Sequence, residues 1–361
     1  MLNKLPKIAF IDDGIDPAFL SPRCVCFENY TATCDGVCIS TPVSGVTHGT
    51  MCYQIFDNHV KFPYQIVSIK VLDSTTGLGN YKALVEALEW CVTQDFDVIN
   101  MSMGTRQYTD FAPIAVAVRR LDKSTIVAAC SNENEFTFPA CLPNVIGVRH
   151  VPLAQLAGSF AYVKNSYDQI QVMTCVRDEP ICFGDGQIVN MDGANSFAAP
   201  IVTARICNYL HMGCPDVPQQ LEADSVKDLS FASYEFYKAC IRNWESCTVP
   251  VVEVPHNIPC ASSKLKSLLE VFIADGYRAI AISTELETDA ASCIFNLHRH
   301  GLGSVATLNM IELYYNFMLP DIIFLQTNNE VTLPENFQAD VVADINRPAQ
   351  EMLEYIVRLL S

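Results

Sequence analysis

The 361-residue sequence is poor in basic groups: 23 Lys and Arg stand against 40 Asp and Glu, a formal net charge of −17. That balance argues against binding the phosphate backbone of a nucleic acid. It suits a cationic peptide partner, and it also serves solubility. No apolar run approaches the roughly 20 residues that cross a bilayer, so no membrane partner is expected. The apolar run Ile8-Ala9-Phe10-Ile11 near the amino end is too short for a signal-peptide core. It meets Asp12-Asp13 instead of a small-residue cleavage site. It reads as a first core strand, and the protein as cytoplasmic. Internal repeats and low-complexity tracts are both missing.

Cysteine is plentiful, with 16 residues. The chain length and the missing signal argue against a secreted disulfide framework. Cys91, Cys130 and Cys207 sit at apolar positions where a reduced thiol packs as a small hydrophobe. A reducing compartment follows. Cys24, Cys26, Cys34 and Cys38 offer four thiolates to a zinc ion, but their irregular spacing favours free thiols. Half of the residues are hydrophobic and 17% are charged, a globular composition long enough for one large or two ordinary cores.

The pattern along the chain is that of an α/β protein. A short buried strand at 7–12 ends in the turn Asp-Asp-Gly, and 17–47 reads as irregular. His48 opens a helix to about Asn58. A strand at Gln65–Leu72 leads through Thr75–Gly79 into an amphipathic helix, Tyr81–Thr93, with Leu84, Ala87, Leu88 and Cys91 on one face. The strand Asp97–Ser102, a helix near 111–121 and the strand Thr125–Cys130 follow. Strands alternating with helices predict a mainly parallel sheet, whose sites collect at the carboxyl ends of strands. Asp12, Ser102 and Asn132 all fall there. A further helix is predicted from Ser196 to roughly Leu210.

The pattern changes near residue 211. We expect a domain over 1–212, a helical connector over 213–248 and a smaller α/β accessory domain over 249–361. The last comprises strands at Val249–Val254, Arg278–Ser283, Asp321–Gln326 and Ala339–Ile345, and helices at Ser262–Asp275 and Pro348–Leu360, with more helix running to Leu319. Its loop His256–Ser263 lacks the glycines that cradle phosphates. It therefore reads as a docking module or a homo-oligomer contact.

Chemistry concentrates on Gly193-Ala194-Asn195-Ser196-Phe197-Ala198-Ala199-Pro200. A serine at a helix start meets unpaired N–H groups and the positive end of the dipole, where a nucleophile and an oxyanion are both favoured. Ser at a helix cap is ordinary by itself. The reading gains weight because an acid at a strand end (Asp12) and a histidine at a helix start (His48) precede it, as an acyl-transfer triad needs.

These residues resemble the subtilisin family of serine peptidases over roughly 7–210. Ile8–Asp16 resembles its acid segment and His48-Gly49-Thr50 its base segment. Ile69–Leu72, Ala87–Trp90 and Asp97–Gly104 are similar to its middle section. Ala128–Glu133 resembles its oxyanion segment, and Pro139-Ala140 with Pro143–Val148 continues the match. The resemblance implies a three-layer fold with a mainly parallel sheet. It implies Ser196 as nucleophile, His48 as base, Asp12 as orienting acid and Asn132 as oxyanion donor. Gly79 and Ser102-Met103-Gly104 become substrate-pairing edges, and Glu133 a rim acid that favours a basic side chain. No cofactor is required, and a structural calcium stays open.

Four departures stand out. Asp13 replaces a Ser or Thr and is expected to face solvent. Ala194-Asn195 replaces Gly-Thr, and an alanine at a positive φ would be strained by about 1 kcal/mol. Met51 replaces a second histidine, and Ser131 a glycine. Cys130 reads as a packed core thiol, and His211, His298 and His300 as surface residues. Because the strand carrying Asp12 begins almost at Met1, no prodomain of the kind that secreted members of the family carry is expected. The expected function is an intracellular serine endopeptidase that processes a particular peptide or precursor, for example by removing a leader from a ribosomal natural product. A peptide-binding pseudo-protease is the alternative, and an acyl transferase on the same groups is a third reading.

Overall fold

The structure is a computed structural model. It describes residues 5–360 apart from 178, 183–185, 187, 192, 242, 256–260, 297–303, 328–338 and 345. His256, His298 and His300 lie outside the described residues. The chain divides into two compact units, Met1–Arg106 with Pro113–Ala232 and Gln107–Ala112 with Ser233–Ser361.

The elements run β1 (Lys7–Asp12), β2 (Cys24–Thr33), β3 (Gly36–Ile39), α1 (His48–His59), β4 (Tyr64–Lys70), α2 (Tyr81–Val92), β5 (Val98–Met101), α3 (Tyr108–Arg119) and β6 (Thr125–Ala129). Then come β7 (Val145–His150), β8 (Phe160–Tyr162), β9 (Val172–Thr174), β10 (Glu179–Cys182), β11 (Ile188–Met191), α4 (Asn195–His211) and α5 (Val217–Asp224). Nine of these strands form one sheet in the order β3-β2-β4-β1-β5-β6-β7-β9-β8. It is parallel except at its two outer pairs, β2–β3 and β8–β9.

β1 lies inside the sheet, between β4 and β5, and is buried from Ile8 onward, so its apolar run is unbroken, as a strand covered on both faces requires. Ile8 and Phe10 enter a core with Val98, Val127 and Val148 of the neighbouring strands. Cys52 and Phe56 of α1 and Ala198 and Val202 of α4 cover that face. The alternate residues Ala9 and Ile11 point the other way, as strand pleating dictates. Register sets the site: Ile11 lies opposite Met101, and Met101 opposite Ala128. Asp12, Ser102 and the 130–132 turn therefore leave the sheet at one edge.

The expectation of irregular structure over 17–47 is corrected. This stretch forms the hairpin β2–β3 on the sheet's outer edge. Only two of the ten β2 residues, Asn29 and Ala32, are buried, so the apolar alternation that marks a strand is missing. α4 begins at Asn195, one residue before the predicted start.

In the second unit, α6 (Tyr234–Cys240), β12 (Val251–Glu253), α7 (Ala261–Ala274), β13 (Ala279–Ser283) and β14 (Ile294–Asn296) lead to α8 (Ser304–Met318). β15 (Ile322–Gln326), β16 (Val341–Val342) and α9 (Ala349–Leu360) complete it. Its five strands are parallel, in the order β14-β13-β15-β12-β16. Val252, Ala281 and Phe324 of this sheet share a core with Leu265, Leu269, Leu353 and Ile356 of α7 and α9.

Candidate active site

His48 is the first residue of α1, and its ring is turned to the end of β1. Its Nδ1–H donates to Asp12 Oδ1 at 2.9 Å and lies 3.1 Å from Oδ2. Asp12 is 1% exposed, and its Oδ1 also accepts the Asp13 N–H at 2.9 Å. The carboxylate is thus fixed in place, and its bond to Nδ1 leaves Nε2 on the far side of the His48 ring. The His48 ring stacks on Phe197, the residue after Ser196, at 5.4 Å between centroids. Cys52, one turn along α1, places its sulfur 3.9 Å from His48 Nε2 and 3.8 Å from the Ser196 carbonyl oxygen. α1 and α4 therefore bring the His48 ring to the first turn of α4, which carries Ser196.

A thiolate at Cys52 would raise the His48 pKa most, and the Asp12 carboxylate raises it too, against the cost of burying the ring. Burial pushes the Cys52 thiol itself up, so the resting sulfur is neutral. The surviving influence is Asp12. Asp12 acts both by its charge and by its hydrogen bond to Nδ1, against the burial of the ring, and the imidazolium is favoured over an ordinary histidine.

Asp13 corrects the sequence reading. It is buried, and its carboxylate accepts the backbone N–H groups of His48 at 3.1 Å and Gly49 at 2.7 Å. A second acid beside Asp12 is tolerated because it meets the positive end of α1. Burial still raises its pKa, opposed by the Gly49 N–H. Glycine at position 49 is required: a Cβ there would lie 2.6 Å from the Gly14 carbonyl oxygen. Thr50 is buried, and its hydroxyl accepts the Asp16 N–H at 2.9 Å. Each residue of His48-Gly49-Thr50 has its own task.

Asn132 is exposed at the turn after β6, and its Oδ1 accepts the Asn195 N–H at 2.9 Å. That bond orients the amide and leaves its Nδ2–H₂ as the donor. Ser196, half-buried, is the second residue of α4. Its N–H belongs to the first turn, where α-helical partners are missing. The feared strain at Ala194 is absent, since its φ of −128° is ordinary extended backbone.

Asn195 has the role that sequence reasoning missed. It is 4% exposed. Its side chain donates to the Ser131 carbonyl oxygen and, at 3.2 Å, to Asn134 Oδ1, and accepts the His150 N–H at 2.7 Å. It ties the turn before Ser196 to the 131–134 turn and to the end of β7. His150 in turn accepts the Val176 N–H on Nδ1 at 3.0 Å, and its ring lies so close to Gly193 that a Cβ there would meet Nε2 at 2.2 Å. Behind them the buried pair Arg149–Asp168 is joined to the turn by Arg149 Nε, which donates to Asn134 Oδ1 at 2.9 Å. Distances in sequence hide this network.

The expected substrate edges differ among themselves. Ser102 is buried and its hydroxyl accepts from Asn100 Nδ2 at 3.2 Å, so only its backbone remains for pairing. Met103 is half-buried and Gly104 exposed. Gly79 is exposed and bridges to Leu72. Glu133 is exposed, with its carboxylate 3.9 Å from Arg106, so the rim acid has a cation beside it. Met51, in place of a histidine, packs against the core.

Among the described residues, one group of His, Cys, Asp or Glu has ligand atoms within mutual reach: Asp12, His48 and Cys52. The structure does not bring Cys24, Cys26, Cys34 and Cys38 together. They are spread along the β2–β3 hairpin, Cys24 at one end of β2 and Cys34 in the turn at the other. Cys130 is buried, as expected of a packed thiol. His211 is half-buried and stacks on Phe62 at 3.7 Å, which corrects its reading as a plain surface residue.

Comparison with known proteins identifies the family of the chain. The profile of the subtilase family, Peptidase_S8, matches residues 4–210. The chain belongs to the subtilase family. Subtilisin NAT of Bacillus subtilis subsp. natto is 32% identical over 111 residues, 28% of each chain. Subtilisin amylosacchariticus of Bacillus subtilis subsp. amylosacchariticus is 28% identical over 175 residues, 45% of each chain. The major intracellular serine protease of Bacillus subtilis (strain 168) is 25% identical over 114 residues, 29% of this chain and 35% of that protein. The chain thus spans less than half the length of these relatives. Among solved structures, Sphericase aligns with a TM-score of 0.47 at 18% identity, over 61% of this chain and 82% of that one.

Proposed function

We propose that the protein is a serine endopeptidase. Ser196 Oγ attacks the scissile carbonyl carbon and passes its proton to His48 Nε2, while Asp12 steadies the imidazolium. The carbonyl oxygen, now negative, is held by Asn132 Nδ2 and the Ser196 N–H. One such donor is usually worth about 10²–10³ in rate. Collapse expels the amine, which takes the proton from His48. Water, deprotonated by the same histidine, then hydrolyses the ester on Ser196. The observation that carries this reading is the His48 ring, bonded to buried Asp12 on one side and stacked against the Ser196–Phe197 turn on the other.

The finer reading is a cytoplasmic processing enzyme with a narrow choice of peptide or precursor, such as leader removal. Fifteen described cysteines, all free thiols, favour a reducing compartment. No helix among the described residues is long and apolar enough to cross a membrane. The strongly acidic chain favours a cationic substrate. The second unit serves docking or self-association. The test is labelling by a fluorophosphonate probe beside Ser196→Ala and His48→Ala. Labelling lost in both variants supports the activated serine, and a folded, unlabelled wild type overturns it. Rapid, broad degradation of unrelated unfolded proteins overturns the narrow-substrate reading alone.

A further inference from the structure

We infer that this site takes peptides with a small residue, Gly, Ala or Ser, on the acyl side of the cut, because Thr137 fills the space where that side chain goes. The inference rests on Ser196 being the nucleophile. With the carbonyl carbon at Ser196 and its oxygen at Asn132, the acyl-side chain is led into the gap between two neighbouring strand ends. One wall is Ser102–Gly104 after β5, the other Ser131–Glu133 after β6.

That gap is closed by the returning segment 136–138. Thr105 and Phe138 bond to each other in both directions, N–H to carbonyl, at 2.8 and 2.9 Å. This seals Gly104 against the return. Thr137 is 3% exposed and touches both walls. Its hydroxyl accepts the Ser131 N–H at 2.9 Å and donates to the Glu135 carbonyl oxygen at 2.8 Å. Its methyl stands so close to Gly104 that a Cβ there would lie 2.6 Å from it. The hydroxyl's two bonds fix the rotamer, so the methyl cannot swing away without freeing the Ser131 N–H. Arg106 pairs with Glu135 on the same turn and holds the closed wall from outside. A Gly or Ala side chain passes over such a floor, whereas Leu or Phe would have to displace the Thr137 methyl.

Two peptidyl diphenyl phosphonates differing only in Ala or Phe at the acyl-side position provide the test, with a general fluorophosphonate in parallel. Labelling of Ser196 is expected to be at least about tenfold faster with the Ala probe, within the range that side-chain volume gives in a pocket. Thr137→Ser keeps both hydrogen bonds and deletes only the methyl, and should shrink that preference severalfold. Thr137→Val keeps the volume without the hydroxyl, and should retain the preference while labelling more slowly with both probes. Equal rates for Ala and Phe in the wild type, or an unchanged ratio in a folded Thr137→Ser variant, would overturn the inference with the nucleophile intact. A wild type deaf to the fluorophosphonate sinks the nucleophile assignment, and this inference with it.

Discussion

The backbone N–H of Asn195 donates to Oδ1 of Asn132 at 2.9 Å, so the residue before the proposed nucleophile aims the amide of the proposed oxyanion donor. The Asn195 side chain fixes the same turn through Ser131 and Asn134. Asn195→Ala keeps the backbone bond and deletes the side-chain ties. It should lower kcat by about 10–10², with KM nearly unchanged, because the lost order matters in the transition state. Steady-state kinetics on a peptide ester decide it. An unchanged kcat would mean the turn holds its own shape.

Asn132→Asp separates aiming from donating. The carboxylate still accepts the Asn195 N–H, but it has no hydrogen to give and carries a charge of the wrong sign. A fall in kcat of about 10³ or more is expected, with thermal stability close to wild type because the side chain is exposed. Equal losses in kcat and melting temperature would instead mark Asn132 as a structural residue.

In the proposed reaction His48 must be neutral to take the Ser196 proton. Since Asp12 favours the imidazolium, activity should be lost as pH falls through a value above the ordinary histidine pKa of about 6.5. Asp12→Asn removes the charge, so the acid limb should move to lower pH while kcat drops by about 10⁴. Cys52→Ala should leave the limb in place, because the buried thiol is neutral there. A downward shift in Cys52→Ala would show that a thiolate at Cys52 sets the histidine instead.

Much of this candidate site was legible in the sequence because each member of the proposed triad ends or begins an element with a readable signal. Ile8–Ile11 is an unbroken apolar strand ending in an acid, and His48-Gly49-Thr50 opens a helix whose glycine lets it sit against Gly14. What stayed hidden depends on tertiary partners. Asp13 looks like a turn acid until α1 docks on it, and Asn195 looks like a weakened threonine until Ser131, Asn134 and His150 surround it. The β2–β3 hairpin escaped for another reason: an edge pair with little buried surface leaves no alternation to read.

Asp13 puts the contribution of such a tertiary partner to a direct test. Asp13→Ala strips the acceptor from the His48 and Gly49 N–H groups, and should destabilise the protein by about 1–2 kcal/mol, as loss of a helix cap does. Activity should fall further than stability, since the start of α1 carries the base. Chemical denaturation and kinetics on one preparation measure both. A solvent-facing Asp13 would leave both within error.

The buried pair Arg149–Asp168 lies behind the oxyanion turn, and Arg149 Nε reaches that turn through Asn134. Asp168→Leu leaves a cation in the core and should cost about 3–5 kcal/mol of stability. Adding Arg149→Met removes that orphan charge, and the double variant should recover most of the loss, because a well-packed apolar pair replaces a buried ion pair at little net cost. Its kcat should nevertheless remain below wild type, since Asn134 has lost the Arg149 donor that helps hold it against Asn195. Denaturation curves and kcat for both variants separate the two roles. If stability and kcat return together, Arg149 serves the core alone, and the turn is held by Asn195 without help from behind.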